Sequence, residues 1–142
     1  MRIISKEVLA DTQGTKITKL VVAAPEIAGE AKAGQFVVLM VCQEGERIPL
    51  TIVDKDLEQG TITLIAQEAG LTTALLGRLN KDDSLYALAG PLGHATEIKN
   101  YGKVILVGGG VGIAEIYPVA AALKAAGNHV TTILGARNKA LL

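Results

Sequence analysis

The sequence predicts a β-rich chain in two parts. A six-stranded antiparallel barrel spans residues 1–99, and the opening of a parallel α/β unit spans residues 100–142. Three observations carry this reading. Five or six short apolar or alternating segments recur at regular spacing through the first hundred residues, each bounded by turn-forming residues. Near Tyr101-Gly102 the pattern switches to runs rich in β-branched residues, the signature of buried parallel strands. Between two such runs stand a glycine cluster and a helix-forming stretch, giving strand, glycine loop, helix, strand in that order.

In the barrel, residues 1–10 form the first strand, and Asp11-Thr12-Gln13-Gly14 turns the chain with glycine where positive φ is needed. Residues 15–23 alternate and complete a hairpin. Pro25 breaks that strand, and residues 26–33 hold a short helical turn weakened by Gly29. Residues 35–42 are a strongly apolar third strand. Cys42 reads there as a small core residue and not a nucleophile, because no histidine or cation stands near it in sequence. The fourth strand covers 47–53, with Pro49 placing it at an edge or bulge. A charged turn follows over 54–60, then a fifth strand over 61–67. The period then changes: Leu71, Leu75, Leu76 and Leu79 share one helical face, with Thr72 or Thr73 as cap. A sixth strand covers 84–89, and Gly90-Pro91-Leu92-Gly93 closes the barrel.

In the second part, Val104-Ile105-Leu106-Val107 is a buried strand and Gly108-Gly109-Gly110 turns the chain. A helix starts near Gly112 and ends at Gly127-Asn128; Val130-Thr131-Thr132-Ile133-Leu134 is the next strand. Free N–H groups at a helix start carry partial positive charge, and glycine lets a phosphate approach them. The loop therefore points to a phosphate or dinucleotide, with a plain tight turn as the structural alternative. It is not the common dehydrogenase fingerprint: Ile113 and Glu115 stand where that pattern needs Gly or Ala, and Gly135-Ala136-Arg137 follows the second strand where an acidic residue belongs.

Composition narrows the class. With 49% apolar residues a sizeable core is available, and 14 basic against 14 acidic residues leave no net charge. No basic block or aromatic platform argues for nucleic acid, since aromatics make up only 3%. No signal peptide and no membrane-spanning run is evident, so a cytoplasmic, soluble protein is expected. A single cysteine excludes an internal disulfide, and His94 and His129 offer no metal spacing.

Four motifs, in order, resemble the ferredoxin–NADP+ reductase superfamily. Arg47-Ile48-Pro49-Leu50-Thr51 is similar to its flavin-binding Arg-x-aromatic-(Ser/Thr) motif, with one extra residue between Arg47 and Thr51 and proline at position 49. Gly70-Leu71-Thr72-Thr73 is similar to its flavin-pyrophosphate loop. Gly90-Pro91-Leu92-Gly93 is similar to its junction before the nucleotide domain, and Gly108 to Ala114 to its nicotinamide-nucleotide loop. The flanking residues most resemble the small flavoprotein subunit of NADH-dependent ferredoxin:NADP+ oxidoreductase (sulfide dehydrogenase β subunit), a relative of the dihydroorotate dehydrogenase electron-transfer subunit.

The resemblance implies FAD and NAD(P)H as cofactors. Arg47 would pair with the flavin pyrophosphate, Pro49 would shape a bulge, Leu50 would lie on the ring and Thr51 would hydrogen-bond it. Leu64, Ile65 and Ala66 would offer backbone groups to the flavin. Gly70, Leu71, Thr72 and Thr73 would hold its pyrophosphate. Gly109, Gly110, Val111 and Gly112 would face the nicotinamide nucleotide. Glu115 is expected turned away or near the nicotinamide, and Arg137 is a candidate for an adenosine 2′-phosphate, with a solvated loop charge as its alternative. No side-chain acid or base is required, because the cofactor carries the chemistry.

The implied function is a flavin-dependent electron-transfer module between NAD(P)H, FAD and an iron–sulfur or ferredoxin-type carrier, working with a larger catalytic subunit. The alternative is a non-catalytic docking adaptor that keeps remnants of the cofactor loops. Proteins of this kind run about twice as long and end in cysteines that ligate a [2Fe-2S] centre, ligands absent here. The chain is therefore expected to be a truncated piece, nearly inactive alone. Its two-stranded parallel unit would leave apolar faces that a neighbouring copy covers, so a homo-oligomer is expected.

Overall fold

The computed structural model describes residues 1–141. The chain runs β1 (Ile3–Thr12), β2 (Thr15–Ala23), α1 (Pro25–Glu30), β3 (Phe36–Met40), β4 (Ile48–Thr51), β5 (Asp54–Asp56), β6 (Thr61–Gln67), α2 (Leu71–Arg78), β7 (Ala87–Leu92), β8 (Lys103–Gly109), α3 (Gly112–Ala125) and β9 (His129–Gly135). A 3-10 turn, Lys139–Leu141, follows.

The expected six-stranded barrel is instead two antiparallel sheets, in the orders β1-β2-β6-β5 and β4-β3-β7. The additional strand is β5, in the stretch read as a charged turn. Asp54, Lys55 and Asp56 pair with Thr63, Ile62 and Thr61 at the sheet edge. Asp54 and Lys55 are exposed, and charge is what an edge strand tolerates, so its residues carry no apolar alternation. The two sheets meet at two corners. At one, the Ile52 N–H donates to the Gln35 carbonyl (3.1 Å) and the Val53 N–H to the Thr63 carbonyl (2.9 Å). At the other, the Ile3 N–H donates to the Asp83 carbonyl and the Leu85 N–H to the Met1 carbonyl, both at 2.8 Å.

Alternation builds the core. Leu20 and Val22 of β2, Val37 and Leu39 of β3, and Ile62 and Leu64 of β6 point inward and are essentially fully buried. Ile27 and Ala28 of α1 and Leu76 of α2 close the ends of this cluster. The last strand of this part sits later than expected. Ser84 makes only an isolated bridge with Arg2, and β7 runs through Gly90-Pro91-Leu92. Its pairing with β3 is irregular between the Phe36–Leu92 and Val38–Ala89 partners, which is where a proline without an N–H is accommodated in a sheet. Cys42 also departs from expectation: β3 ends at Met40, and Cys42 is exposed in the turn that follows.

β8 and β9 pair in parallel from Lys103–His129 to Gly109–Gly135, with α3 across one face. Gly108 is what allows that packing: a Cβ there would meet Ile116 Cδ1 at 2.8 Å and Ile113 Cα at 3.2 Å. The opposite face is bare, with Ile105 68%, Val107 69% and Ile133 54% exposed. Asn128 fastens this unit internally. Its Oδ1 accepts from the Tyr101 N–H (2.6 Å), and its Nδ2 donates to the Leu123 (2.8 Å) and Lys99 (2.9 Å) carbonyls. Among the described residues no helix is long and apolar enough to cross a membrane.

Candidate functional site

The β4–β5 corner, the free part of β6, α2 and the start of α3 surround one cleft of about 480 Å³. Pro49, Leu50, Thr51 and Val53 form one wall, Ile65, Ala66 and Gln67 the floor, and Ala69 and Thr73 one end. Val111, Ala114 and Glu115 from the glycine loop and α3 form the opposite wall, and Phe36 closes the cleft beside Thr51, its register partner. Residues from both halves of the chain thus face one space.

The β6 backbone explains which of its atoms are available. β6 pairs with β2 along its length but with β5 only as far as Thr63. The Thr63 carbonyl points toward the β5 side and the Glu68 N–H toward β2, and successive residues of a strand alternate between the two sides. Ile65 and Gln67 therefore turn their N–H and C=O groups to the side away from β2, past the end of β5. Leu64 and Ala66 turn theirs to β2 and bury their side chains in the core. Of the three residues expected to offer backbone groups, only Ile65 has them on the open side; Leu64 supports from beneath.

The pyrophosphate-type loop is also more specific than expected. Thr73, not Thr72, caps α2. Its Oγ1 accepts from the Ala69 N–H (2.9 Å) and the Gly70 N–H (3.0 Å). Thr72 is buried, and its hydroxyl donates to Glu46 Oε2 at 3.0 Å. Both hydroxyls are engaged within the protein, which leaves the first-turn N–H groups of Leu71, Thr72 and Thr73, without intrahelical acceptors, as the free donors. Gly70 is open, with nothing within 4 Å of the position of a Cβ. Leu71 is exposed, and so is Arg47, one residue before β4 and one after Glu46.

The second glycine loop is shaped by its turn. Gly110 has φ +56 and donates its N–H to the Gly135 carbonyl at 2.8 Å. Neither Gly110 nor Gly112 has an atom within 4 Å of a Cβ position, and Gly109 meets only the Gly135 oxygen at 3.9 Å. Gly110 and Val111 also border an apolar cleft of about 560 Å³ that continues past Ile65 and Val53 toward Tyr117 and Lys19. Gly109 and Gly110 border a third, of about 320 Å³, beside Arg137. Arg137 itself is exposed and donates to Thr15 Oγ1 at 3.3 Å. His94 and His129 are exposed, and among the described residues no group of three His, Cys, Asp or Glu side chains is placed to hold a metal.

Phe36, Val53, Gln67, Ala69 and Ala114 line the main cleft without having been singled out in the sequence. Only the β3–β4 register, which sets Phe36 opposite Thr51, relates one of them to an expected site residue.

A relative from Thermotoga maritima, described as a dihydroorotate dehydrogenase B (NAD(+)) electron transfer subunit homolog, is 50% identical over 116 residues, covering 82% of this chain and 41% of its own length. Thus the chain is a homologue of the dihydroorotate dehydrogenase electron-transfer subunits. A solved NADH-dependent reduced ferredoxin-NADP oxidoreductase structure, reported for flavin-based electron bifurcation, superposes with a TM-score of 0.93 at 44% identity, covering 99% of this chain and 50% of the other. The ferredoxin-NADP+ reductase of Plasmodium falciparum, at 15% identity and a TM-score of 0.81 over 99% of this chain and 60% of its own, shares the fold. No protein-family model matches the chain. The chain spans about half the length of the homologues it matches.

Proposed function

We propose that this chain is the flavin-holding part of an electron-transfer oxidoreductase subunit, with FAD in the 480 Å³ cleft and a nicotinamide nucleotide at the α3 glycine loop. The observation that carries the reading is that Thr51 and Ile65 of the antiparallel sheets and Val111 of the glycine loop line one cleft. The donors and the open glycines around that cleft fit a dinucleotide: unpaired N–H groups at the α2 start, a free β6 edge, and a guanidinium on the adjoining segment. Bound FAD would supply the redox step, taking a hydride from NAD(P)H and releasing electrons singly.

The protein's own residues bind and orient. Leu50 and Pro49 give the ring an apolar wall, and Thr51 and the Ile65 backbone give it hydrogen-bond partners. Arg47 and the Leu71, Thr72 and Thr73 N–H groups hold the flavin pyrophosphate, since a guanidinium and a helix start both favour phosphate. Gly70, Gly109, Gly110 and Gly112 keep side chains clear of the two pyrophosphates. A [2Fe-2S] centre does not fit here: such clusters take about four thiolates, and Cys42 is the only cysteine in the sequence. Electrons therefore leave through an iron–sulfur or ferredoxin-type carrier outside this chain, on a larger catalytic partner. The bare apolar face at Ile105, Val107 and Ile133 supports self-association.

The test is an ultraviolet–visible spectrum of the purified chain after FAD addition and desalting. Retained flavin absorbance supports the proposal. A colourless protein whose fold is intact by circular dichroism overturns it in favour of a docking adaptor.

A further inference from the structure

We propose that Glu115 lowers the reduction potential of a flavin held in the 480 Å³ cleft. This rests on the cleft holding a flavin, as argued above. The cleft is lined by apolar side chains and by the neutral polar groups of Thr51, Gln67 and Thr73; Glu115 is the one ionisable side chain on its walls. It lies in the first turn of α3, on the wall opposite Pro49, Leu50 and Thr51. Arg47 does not line the cleft, so no cation on its walls offsets the carboxylate.

The start of a helix favours negative charge. Without Glu115, the α3 terminus would present a positive field to the ring and favour its reduction. The carboxylate opposes that field. Adding electrons to a ring beside a fixed negative charge is unfavourable, so the equilibrium shifts toward the oxidised form and the potential falls. Glu115 is exposed, so solvent weakens the effect to a few-fold change in the equilibrium. The consequence is a flavin that gives up electrons more readily to an acceptor.

The experiment measures the midpoint potential of FAD bound to the wild-type chain and to E115Q, E115D, E115K and the control E58Q, by equilibration with a redox dye. Glu58 lies on the turn after β5 and does not line the cleft. E115Q is expected to raise the reduced-to-oxidised ratio about fivefold, which is about 20 mV for a two-electron couple. E115K raises it further, while E115D and E58Q stay near wild type. Equal potentials for wild type and E115Q overturn the inference even where FAD is retained, and so does an E115Q protein that only melts at lower temperature, since Glu115 would then serve the helix end alone. A folded wild-type chain that retains no FAD overturns the flavin assignment and this inference together.

Discussion

The buried Thr72 hydroxyl donates to the Glu46 carboxylate at 3.0 Å, tying the segment that leads into Arg47 to the first turn of α2. Two elements far apart in sequence are thereby held side by side where a phosphate would need both. Thr72→Val keeps the side-chain volume and removes the donor. It is expected to cost about 1 kcal/mol of stability and to weaken FAD binding by loosening the Arg47 segment. Thr72→Ser retains the hydroxyl and should stay near wild type in both. Urea denaturation and a fluorescence titration with FAD read the two effects separately.

Arg47 is exposed and makes no ion pair among the described residues, so removing it should not unfold the chain. Arg47→Ala is expected to weaken FAD binding by about tenfold to a hundredfold, the loss of a charge-assisted hydrogen bond, at unchanged melting temperature. Arg47→Lys keeps the charge and loses the planar fork, so its affinity should fall between the two. Isothermal titration with FAD checks the order. An unchanged affinity for Arg47→Ala would remove this residue from the site.

Asn128 accepts one hydrogen bond and donates two while 7% exposed. Asn128→Ala strips partners from the Tyr101 N–H and from the Leu123 and Lys99 carbonyls at once. The expected loss is about 2–3 kcal/mol in the β8–α3–β9 unit. Hydrogen exchange should show it as faster exchange of β8 and β9 amides, with the protection of β2 and β6 retained.

Legibility followed the range of the interactions. The β2 and β6 spans, 15–23 and 61–67, are the strands expected, because each has one face buried and the alternation is written locally. β5 was unreadable as a strand since Asp54-Lys55-Asp56 has no apolar face to display. The flavin-type residues Leu50 and Thr51 were reachable through the motif around Arg47. Phe36 and Glu115 became cleft residues only through cross-strand register and the seating of α3 against the sheets, which no local pattern encodes. The β6 backbone shows the same limit: which of Leu64, Ile65 and Ala66 turns its N–H outward depends on where β5 stops pairing.

The glycine loop separates packing from ligand approach, and two substitutions test the division. At Gly108 a Cβ would lie 2.8 Å from Ile116 Cδ1 and 3.2 Å from Ile113 Cα. The second contact is backbone, so α3 itself must move. Gly108→Ala should therefore cost about 1–3 kcal/mol, the usual cost of overpacking, with a matching fall in melting temperature. At Gly109 the nearest atom to a Cβ is the Gly135 oxygen at 3.9 Å, so Gly109→Ala should fold as the wild type does. If the loop receives a nicotinamide nucleotide, that methyl group stands where the pyrophosphate must approach. Binding of NADH or NADPH, followed by fluorescence quenching, should then weaken about tenfold or more, as expected when close backbone approach to a phosphate is blocked. Intact stability with intact nucleotide affinity in Gly109→Ala would show that the loop is a tight turn and nothing more.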